Sequence, residues 1–284
     1  NGYGTATSNP ATLIVGLAPA ITTHPVSQNV IVGTSPTFSV AATGTSPLSY
    51  QWQKDTVNIS GATSTSYTIT IAQSDDNGSY RCLISNNYGS ANSSSATLQV
   101  GYAPAIGSHP VSADQVAGSS VTFAISLSAG STPLSYQWQK DSVNINGATS
   151  ISYTIASLTT THAGTYRCIA SNAFGTVTSN AATLTVGVAP TVSAHPSDSN
   201  STVGSNITFS ITAAGTAPLS YQWQKDGSDV AGDSNSSSYT ISSVSGDDNG
   251  TYRVVVSNLY GNATSNGAEL GVGSAPTITS QPSG

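Results

Sequence analysis

Short alternations of apolar and polar residues run along the whole chain, and turns rich in Gly, Ser, Asn, Asp and Pro separate them. An alternation with a period of two predicts β-strands, because successive side chains of a strand point to opposite faces of the sheet. In the first third of the chain these runs are 37–41, 50–53, 66–71, 79–84 and 96–100. Helical periodicity is not found. The pattern therefore predicts an all-β chain made of antiparallel β-sandwiches.

A stretch of the chain, Pro47 to Asp55, is repeated without change at 133–141 and at 218–226. The three tryptophans of the chain lie at its centre and are 86 and then 85 residues apart: Trp52, Trp138 and Trp223. A repeat of this length is a domain and not a solenoid turn. We therefore predict three equivalent domains, at residues 18–102, 103–188 and 189–274.

Each predicted domain begins with Ala-Pro, two residues after a glycine. Linkers that are short and contain proline predict domains joined end to end with limited swing. The two flanking segments resemble parts of the repeat. We predict that residues 1–17 are the C-terminal hairpin of a preceding repeat and that residues 275–284 are the first strand of a following one. On this interpretation the chain is a segment of a longer tandem array.

Only 6% of the residues are charged, against about 25% in an average protein. The net charge is −6, which disfavours nucleic acid and anionic membrane surfaces because both require clustered Lys and Arg. A surface built from Ser, Thr, Asn and Gln repels itself only weakly, so side-by-side association carries little electrostatic penalty. No apolar run approaches the roughly 18 residues of a membrane helix, and we expect no membrane span in this segment.

The segment Asp76 to Cys82 resembles the Asp-x-Gly-x-Tyr-x-Cys signature of immunoglobulin-like domains. The resemblance extends to all three repeats and implies tandem sandwiches of the intermediate set. It implies these structural core positions: Trp52, Trp138, Trp223, Tyr80, Tyr166, Tyr252, Cys82, Cys168 and Val254. His162 replaces the signature aspartate in the second repeat, so we expect that loop to be held differently. The Ser/Thr-rich composition with Ala-Pro junctions resembles the long arrays on bacterial surface proteins.

One departure from the family concerns its disulfide, which pairs a cysteine of strand B with the cysteine of strand F. The strand-B positions here are Val40, Ile125 and Ile211. Cys82 and Cys168 therefore have no partner within their own domains. We interpret both as small buried apolar residues, since free cysteine is often buried. A bridge between domains or between chains is the alternative.

Histidine precedes proline once in every repeat, at His24, His109 and His195. A metal site needs several converging ligands, and each domain offers one such histidine. We therefore predict a proline kink where the first strand changes sheets, with a cis peptide bond as one way to make it. The loops at 75–78 and 247–250 lack the ligand spacing of a calcium-binding hand, and a weak calcium site there is the alternative.

Each repeat has one lysine and one arginine, represented by Lys54 and Arg81. We expect Lys54 to reach water, with a covalent cross-link to an asparagine as the alternative. Arg81 is either solvated or orders a contact with a neighbouring molecule.

Asn-x-Ser/Thr triplets occur at Asn58, Asn77, Asn92, Asn200, Asn206, Asn235, Asn249 and Asn262. They matter only if the source glycosylates secreted proteins.

Nothing in the sequence indicates catalysis. Glu269 is the single glutamate, so a glutamate pair for glycoside hydrolysis is missing, and no phosphate-binding loop is found. We predict no catalytic, cofactor-binding or metal-binding residues. The interpretation is a structural protein that self-associates into an extracellular or cell-surface filament. The alternatives are an adhesin or stalk that binds surface proteins or glycans, and a spacer in a secreted enzyme.

Overall fold

A computed structural model describes residues 1–231, 235–274 and 276–280. Strands contain 50% of the residues and helix 3%, so the prediction of an all-β fold made of tandem sandwiches is confirmed. The chain divides into two compact units. One contains residues 1–108, 126–137 and 168–179, and the other contains residues 109–125, 138–167 and 180–284. The first and third repeats each lie within one unit, and the second contributes residues to both.

Within the described residues, each repeat contributes ten strands and one short 3-10 helix. The first repeat contains β1 (Ala20–Thr23), β2 (Gln28–Ile31), β3 (Thr37–Ser39), β4 (Ala41–Thr43), β5 (Ser49–Lys54), β6 (Val57–Asn58), β7 (Ser66–Thr68), β8 (Gly78–Asn86), β9 (Gly89–Asn92) and β10 (Ala96–Gly101). The second contains β11 (Ala105–Ser108), β12 (Ala113–Val116), β13 (Val121–Ala124), β14 (Ser126–Ala129), β15 (Ser135–Lys140), β16 (Val143–Asn144), β17 (Ser152–Ile155), β18 (Gly164–Asn172), β19 (Gly175–Thr178) and β20 (Ala182–Gly187). The third contains β21 (Thr191–Ala194), β22 (Ser199–Thr202), β23 (Ile207–Ser210), β24 (Thr212–Ala214), β25 (Ser220–Lys225), β26 (Ser228–Asp229), β27 (Ser238–Ile241), β28 (Gly250–Asn258), β29 (Gly261–Thr264) and β30 (Ala268–Gly273). The 3-10 helices are Ser74–Asp76, Thr160–His162 and Gly246–Asp248.

Two layers form each sandwich. In the first repeat the larger sheet has the order β2-β10-β8-β5-β6, with β9 paired to β8, and the facing strands form the pairs β1–β4 and β3–β7. The third repeat has the same order, β22-β30-β28-β25-β26, with β29 paired to β28 and with the pairs β21–β24 and β23–β27. In the second repeat β11 pairs with β14, β13 with β17 and β12 with β20.

The first strand of each repeat changes sheets at its His-Pro, as predicted. β1 pairs antiparallel with β4, whereas β2, which begins after the His-Pro, pairs parallel with β10. The cis peptide bonds of the described residues lie elsewhere, before Pro47, Pro133 and Pro218. The suggestion of a cis bond at His-Pro is therefore wrong. Proline achieves the change of sheet by withholding a backbone N–H from the ladder.

A tight turn joins β5 to β6, and both of its central residues, Asp55 and Thr56, have positive φ angles of 48° and 72°. Such turns match the right-handed twist of the two strands they connect. Asp141 and Ser142 form the same turn in the second repeat. The identical stretch found three times in the sequence thus covers one whole strand and the start of its hairpin.

The core of the first repeat lies between the two layers. Its buried residues are Phe38, Val40, Trp52, Ala62, Ile69, Ala72, Tyr80, Cys82, Ile84, Ala96, Leu98 and Val100. These include the inward positions of the alternating runs. Burial of this apolar surface drives the folding of a domain of this size.

Residues 1–19 contain no strand, and the side chains of Tyr3, Leu13 and Val15 are exposed. Residues 276–280 also form no strand, while Ala275 and 281–284 lie outside the described residues. A two-stranded hairpin without a sheet to pack against is marginal in water. That these segments belong to neighbouring repeats therefore stays a prediction.

Candidate functional site

The tryptophans at the centre of the repeated stretch are completely buried, each with 0% of its surface exposed. In the first repeat the indole lies beside Phe38 and Tyr67, with ring centroids 6.3 and 6.4 Å away. Its Nε1–H donates to the carbonyl oxygen of Ser64 at 3.0 Å. Trp138 and Trp223 donate in the same way to Ser150 and Ser236. A buried indole N–H that has a partner avoids the penalty of an unsatisfied donor.

A second tyrosine in each core ties the core to the loop before β8, β18 or β28. The hydroxyl of Tyr80 donates to the carbonyl oxygen of Asp76 at 2.8 Å, and its ring stacks on Phe38 at 4.8 Å. Tyr166 and Tyr252 donate to the carbonyl oxygens of the corresponding residues in their own repeats. Burial raises the pKa of Tyr166 and of Tyr252 to about 12. These hydroxyls therefore remain donors at neutral pH.

The loop that carries His162 is held in the same way as its counterparts, so the expectation of a different arrangement is wrong. The backbone N–H of Thr159 donates to Nδ1 of His162 at 2.9 Å. In the first repeat the backbone N–H of Gln73 donates to a carboxylate oxygen of Asp76 at 2.8 Å. An imidazole nitrogen replaces the carboxylate oxygen as acceptor, because the loop needs one acceptor there and not a charge.

The junctions between repeats show a contact that the sequence did not predict. The turn that follows β18 places the ring of Phe174 against Gly101, the last residue of β10. A Cβ built on Gly101 would lie 2.4 Å from Cε2 of Phe174. Tyr260 covers Gly187 in the same manner, with the corresponding distance 1.9 Å. A larger residue at either position would overlap the ring unless the ring moved.

The asparagine that ends β18 bonds to the linker. The side-chain Nδ2 of Asn172 donates to the carbonyl oxygens of Tyr102 and Ser131, each at 2.8 Å. Its Oδ1 accepts the backbone N–H of Phe174 at 2.9 Å. Asn258 makes the same contacts around Val188. The linker residue is thus bonded to the domain that follows it.

The profile of the immunoglobulin domain family matches three segments of the chain, residues 18–86, 103–172 and 189–258. Together these segments cover well over half of it. The chain belongs to the immunoglobulin domain family.

A structure of the titin I-band fragment I67–I69 is similar in fold, with a TM-score of 0.69 at 23% identity, and the match covers 90% of this chain and 99% of that one. The mouse protein named leucine-rich repeats and immunoglobulin-like domains protein 3 is 27% identical over 240 residues, 74% of this chain and 21% of its own length. Endoglucanase C of Cellulomonas fimi is 30% identical over 182 residues, 61% of this chain and 16% of its own length. The chain therefore spans only about a fifth of the length of these relatives.

The cysteines of the first two immunoglobulin domains are free thiols with 0% of their surface exposed. The backbone N–H of Cys82 bonds to the hydroxyl of Ser93 at 2.9 Å. Val254 occupies the same position in the third domain, and its N–H bonds to Ser265. The position therefore accepts an apolar side chain as readily as a thiol.

We expect both thiols to be inert in the folded chain. Burial raises the pKa of Cys82 and raises that of Cys168 to about 11, so the reactive thiolate is scarce at neutral pH. Titration with a thiol reagent at pH 8 should label neither cysteine in buffer and both in concentrated guanidinium chloride. Rapid labelling in buffer would contradict the buried assignment.

The histidines before proline have a structural partner. The backbone N–H of Ser94 donates to Nδ1 of His24 at 3.0 Å, and Asn180 and Asn266 donate to His109 and His195. Each imidazole thereby ties the start of its immunoglobulin domain to the segment before the last strand. No group of three or more His, Cys, Asp or Glu residues that could hold a metal ion occurs among the described residues.

The charged side chains follow the larger sheet and its loops. Lys54 donates to the carbonyl oxygen of Asp75, and Nε of Arg81 donates to Oε1 of Gln53 at 2.7 Å. The facing strands β1, β3, β4 and β7 contain only Ala, Ser, Thr, Ile, Phe and Tyr. Their counterparts in the other two domains are equally free of charge. These strands therefore contain small, hydroxylated and uncharged residues, and their larger apolar residues, such as Phe38, are buried in the core. The layer that these strands form is called the uncharged face of the domain.

The carboxylate of Asp141 stabilises the turn between β15 and β16, and its ionisation makes this stabilisation testable. The backbone N–H of Thr165 and the ammonium group of Lys140 hold the pKa of its carboxyl at about 2. Because the folded pKa lies below that of the unfolded chain, this stabilisation is present above about pH 4 and is lost as the pH falls towards 2. We expect Asp141→Asn to weaken the second domain at pH 7 and to have little effect near pH 2. Chemical denaturation at both pH values measures the difference, and an equal effect at both would contradict this role.

Several asparagines of the Asn-x-Ser/Thr triplets already hold backbone groups. Asn77 and Asn249 accept the backbone N–H of Val100 and of Val272, and Asn206 accepts that of Ser243.

No helix among the described residues is long and apolar enough to cross a membrane.

Proposed function

We propose that this chain is a structural segment of an extracellular protein, a rod or filament of tandem immunoglobulin domains in a cell-surface appendage or matrix fibre. The observation that carries the proposal is the contact of an aromatic ring with the linker glycine, which recurs at successive junctions. A non-catalytic role agrees with the family, whose domains are typically not enzymes. Relatives with immunoglobulin domains are mostly extracellular or cell-surface proteins, which supports the proposed location, and we propose a bacterial source.

The junction contacts support a mechanical role. β10 ends at Gly101 and β11 begins at Ala105, so three residues lie between the last strand of one domain and the first strand of the next. Pro104 is buried, and the carbonyl oxygen of Tyr102 is bonded to Asn172. Proline and these contacts leave the linker few free torsions. A chain of such junctions resists bending, which is what a stalk or fibre requires.

The uncharged face supports lateral association. Strands with small side chains approach a partner closely, and no like charges oppose contact between two copies of that face. An interface that repeats without closing produces a filament. We therefore propose a second copy of this chain as the partner.

Electron microscopy of the native material tests the proposal. Ordered filaments with lateral contacts between uncharged faces would support it. Single strings of domains with freely varying angles would overturn it, since both the stiff junctions and the self-association would then be missing.

We expect Gly101→Ala to loosen the first junction without unfolding either adjoining domain. The new methyl group would overlap the ring of Phe174, and such overpacking costs about 1–3 kcal/mol. Displacement of the ring avoids this cost, and the junction then loses the contact. Small-angle scattering should then show a broader distribution of interdomain distances. Gly246→Ala is the matched control, because no atom lies within 4 Å of a Cβ built there. An unchanged scattering curve for Gly101→Ala would show that the ring contact does not restrain the junction.

A ligand-binding array is the second candidate function. It is favoured by a polar pocket in the third domain, where the residues differ from those of the other two.

A further inference from the structure

A polar pocket of about 280 Å³ lies at the start of the third immunoglobulin domain, between β22 and β23. Its lining includes His195, Ser197, Asp198, Ser199, Thr208 and Ser210. Ligand pockets are typically larger than about 300 Å³, so this one suits a single small ring or group. Ligand binding at this pocket is a function additional to the structural role proposed above, and it does not depend on that role.

In the first domain a glutamine side chain occupies the equivalent space. Gln28 lies opposite Leu98 in the ladder, and Ser199 lies opposite Leu270 at the equivalent position. Nε2 of Gln28 reaches across to the carbonyl oxygen of Thr37 at 2.9 Å. A serine side chain is too short to make that bond. Ser199 therefore leaves this space open in the third domain. Ala113, at the equivalent position of the second domain, is also short, but Ser112 and not an aspartate precedes it.

Two neighbouring substitutions make the opened gap polar. Ser197 replaces the exposed valines of the other domains, Val26 and Val111. Asp198 replaces a serine: the hydroxyl of Ser27 accepts the backbone N–H of Thr97 at 2.9 Å. Oδ1 of Asp198 accepts the backbone N–H of Glu269 at 2.8 Å. Asp198 therefore keeps the bond to the neighbouring strand that the serine makes, and its second carboxylate oxygen is an additional acceptor.

His195 supplies a donor. Its Nδ1 accepts the backbone N–H of Asn266 at 3.1 Å, so the neutral ring carries its proton on Nε2. The pocket then combines one N–H donor, one carboxylate acceptor and several hydroxyl groups that both donate and accept. No lysine or arginine lines it among the described residues, which disfavours an anion. A single carboxylate beside an N–H donor is also too few ligands for a metal cation.

We propose that this pocket binds one ring of a neutral saccharide. Sugar hydroxyls act as donor and acceptor together, so they match a lining of the same kind. A carboxylate accepts bonds from two adjacent hydroxyl groups, and these charge-assisted bonds are the stronger ones. With few contacts and an open mouth, the site should bind in the millimolar range.

The test uses the whole chain, labelled with ¹⁵N, and titrates it with maltotriose, cellotriose and N-acetylated chitotriose. We expect at least one of these probes to shift the backbone amides of residues 195–199 and 208–210. Ser199→Gln restores the side chain that fills the space in the first domain, and it should weaken binding at least tenfold while leaving the fold intact. No shift with any probe, or equal binding by Ser199→Gln, would overturn the proposal.

The first domain offers the converse experiment. The triple variant Val26→Ser, Ser27→Asp, Gln28→Ser transfers the lining and should acquire saccharide-dependent shifts there, whereas Gln28→Ser alone lacks the carboxylate and should not. Concentration-dependent shifts at 195–199 without any saccharide would show instead that a second copy fills the pocket, and would overturn the saccharide assignment. Filament formation is measured separately, so either proposal can fail without the other.

Discussion

Replacement of Trp52 by alanine is expected to unfold the first immunoglobulin domain under conditions where the wild-type domain is folded. The indole is completely buried against Phe38 and Tyr67 and donates to Ser64. Truncation of a buried tryptophan costs about 3–5 kcal/mol. A domain of this size without a disulfide has little more than that to lose, since whole domains are stable by only about 5–15 kcal/mol.

The effect should be confined to one domain. The buried clusters of the first and third domains share no residue, so Trp223 reports on a separate core. Urea denaturation followed by NMR should show early loss of the first domain's amides and an unchanged midpoint for the third. Val57→Ala is the control, because Val57 is 69% exposed and surface changes are usually within about 0.5 kcal/mol. A wild-type midpoint for Trp52→Ala would show that the indole does not organise the core.

The sandwich could be predicted because its information is local and repeated. Alternation identifies the inward residues of each strand, and three copies in register remove chance matches. The glycine of the signature has a packing reason that the structure shows, since a Cβ on Gly78 would lie 2.7 Å from a carboxylate oxygen of Asp55. The backbone N–H of Ser79, the next residue, bonds to that carboxylate.

The junctions could not be predicted in the same way. Tyr88, Phe174 and Tyr260 occupy one repeated turn, but nothing near them in sequence identifies the glycine that each ring covers. Gly101 and Phe174 are far apart in the chain, and neither hydrophobic periodicity nor turn chemistry links residues at such a separation. The role of His162 escapes prediction for a different reason. The sequence shows that the carboxylate of the signature aspartate is missing at His162. The loop requires only an acceptor atom at this position, and Nδ1 of the imidazole provides one.

The polar pocket of the third domain also could not be found by motif. Its signal is a difference between repeats, because Ser197, Asp198 and Ser199 replace residues of other kinds at three consecutive positions. The meaning of that difference depends on where Gln28 reaches in the first domain, which only the three-dimensional structure shows. Differences among internal repeats therefore indicate a site that the repeated residues do not.

Val40→Cys is expected to form the disulfide that this chain lacks and to stabilise the first domain strongly. Val40 and Cys82 are buried in the same core cluster, at the positions where the family pairs its cysteines. A bridge that closes a loop of about 40 residues stabilises by roughly 4 kcal/mol on the chain-entropy estimate. At about 4–8 °C per kcal/mol for a domain of this size, the melting temperature should rise by on the order of 15 °C or more.

The comparison of oxidised with reduced protein isolates the bridge from the change of side chain. Under reducing conditions Val40→Cys should be no more stable than the wild type, because a smaller side chain leaves space in the core. Ile211→Cys is the matched control: it places a thiol at the same position of the third domain, where Val254 is buried in the core in place of cysteine. That variant should show no dependence on oxidant. Oxidised Val40→Cys could instead melt at the wild-type temperature although the bridge is formed. That result would contradict the prediction, because it would mean that the bridge strains the native positions of residues 40 and 82. The core of this domain would then have adapted to the absence of a disulfide.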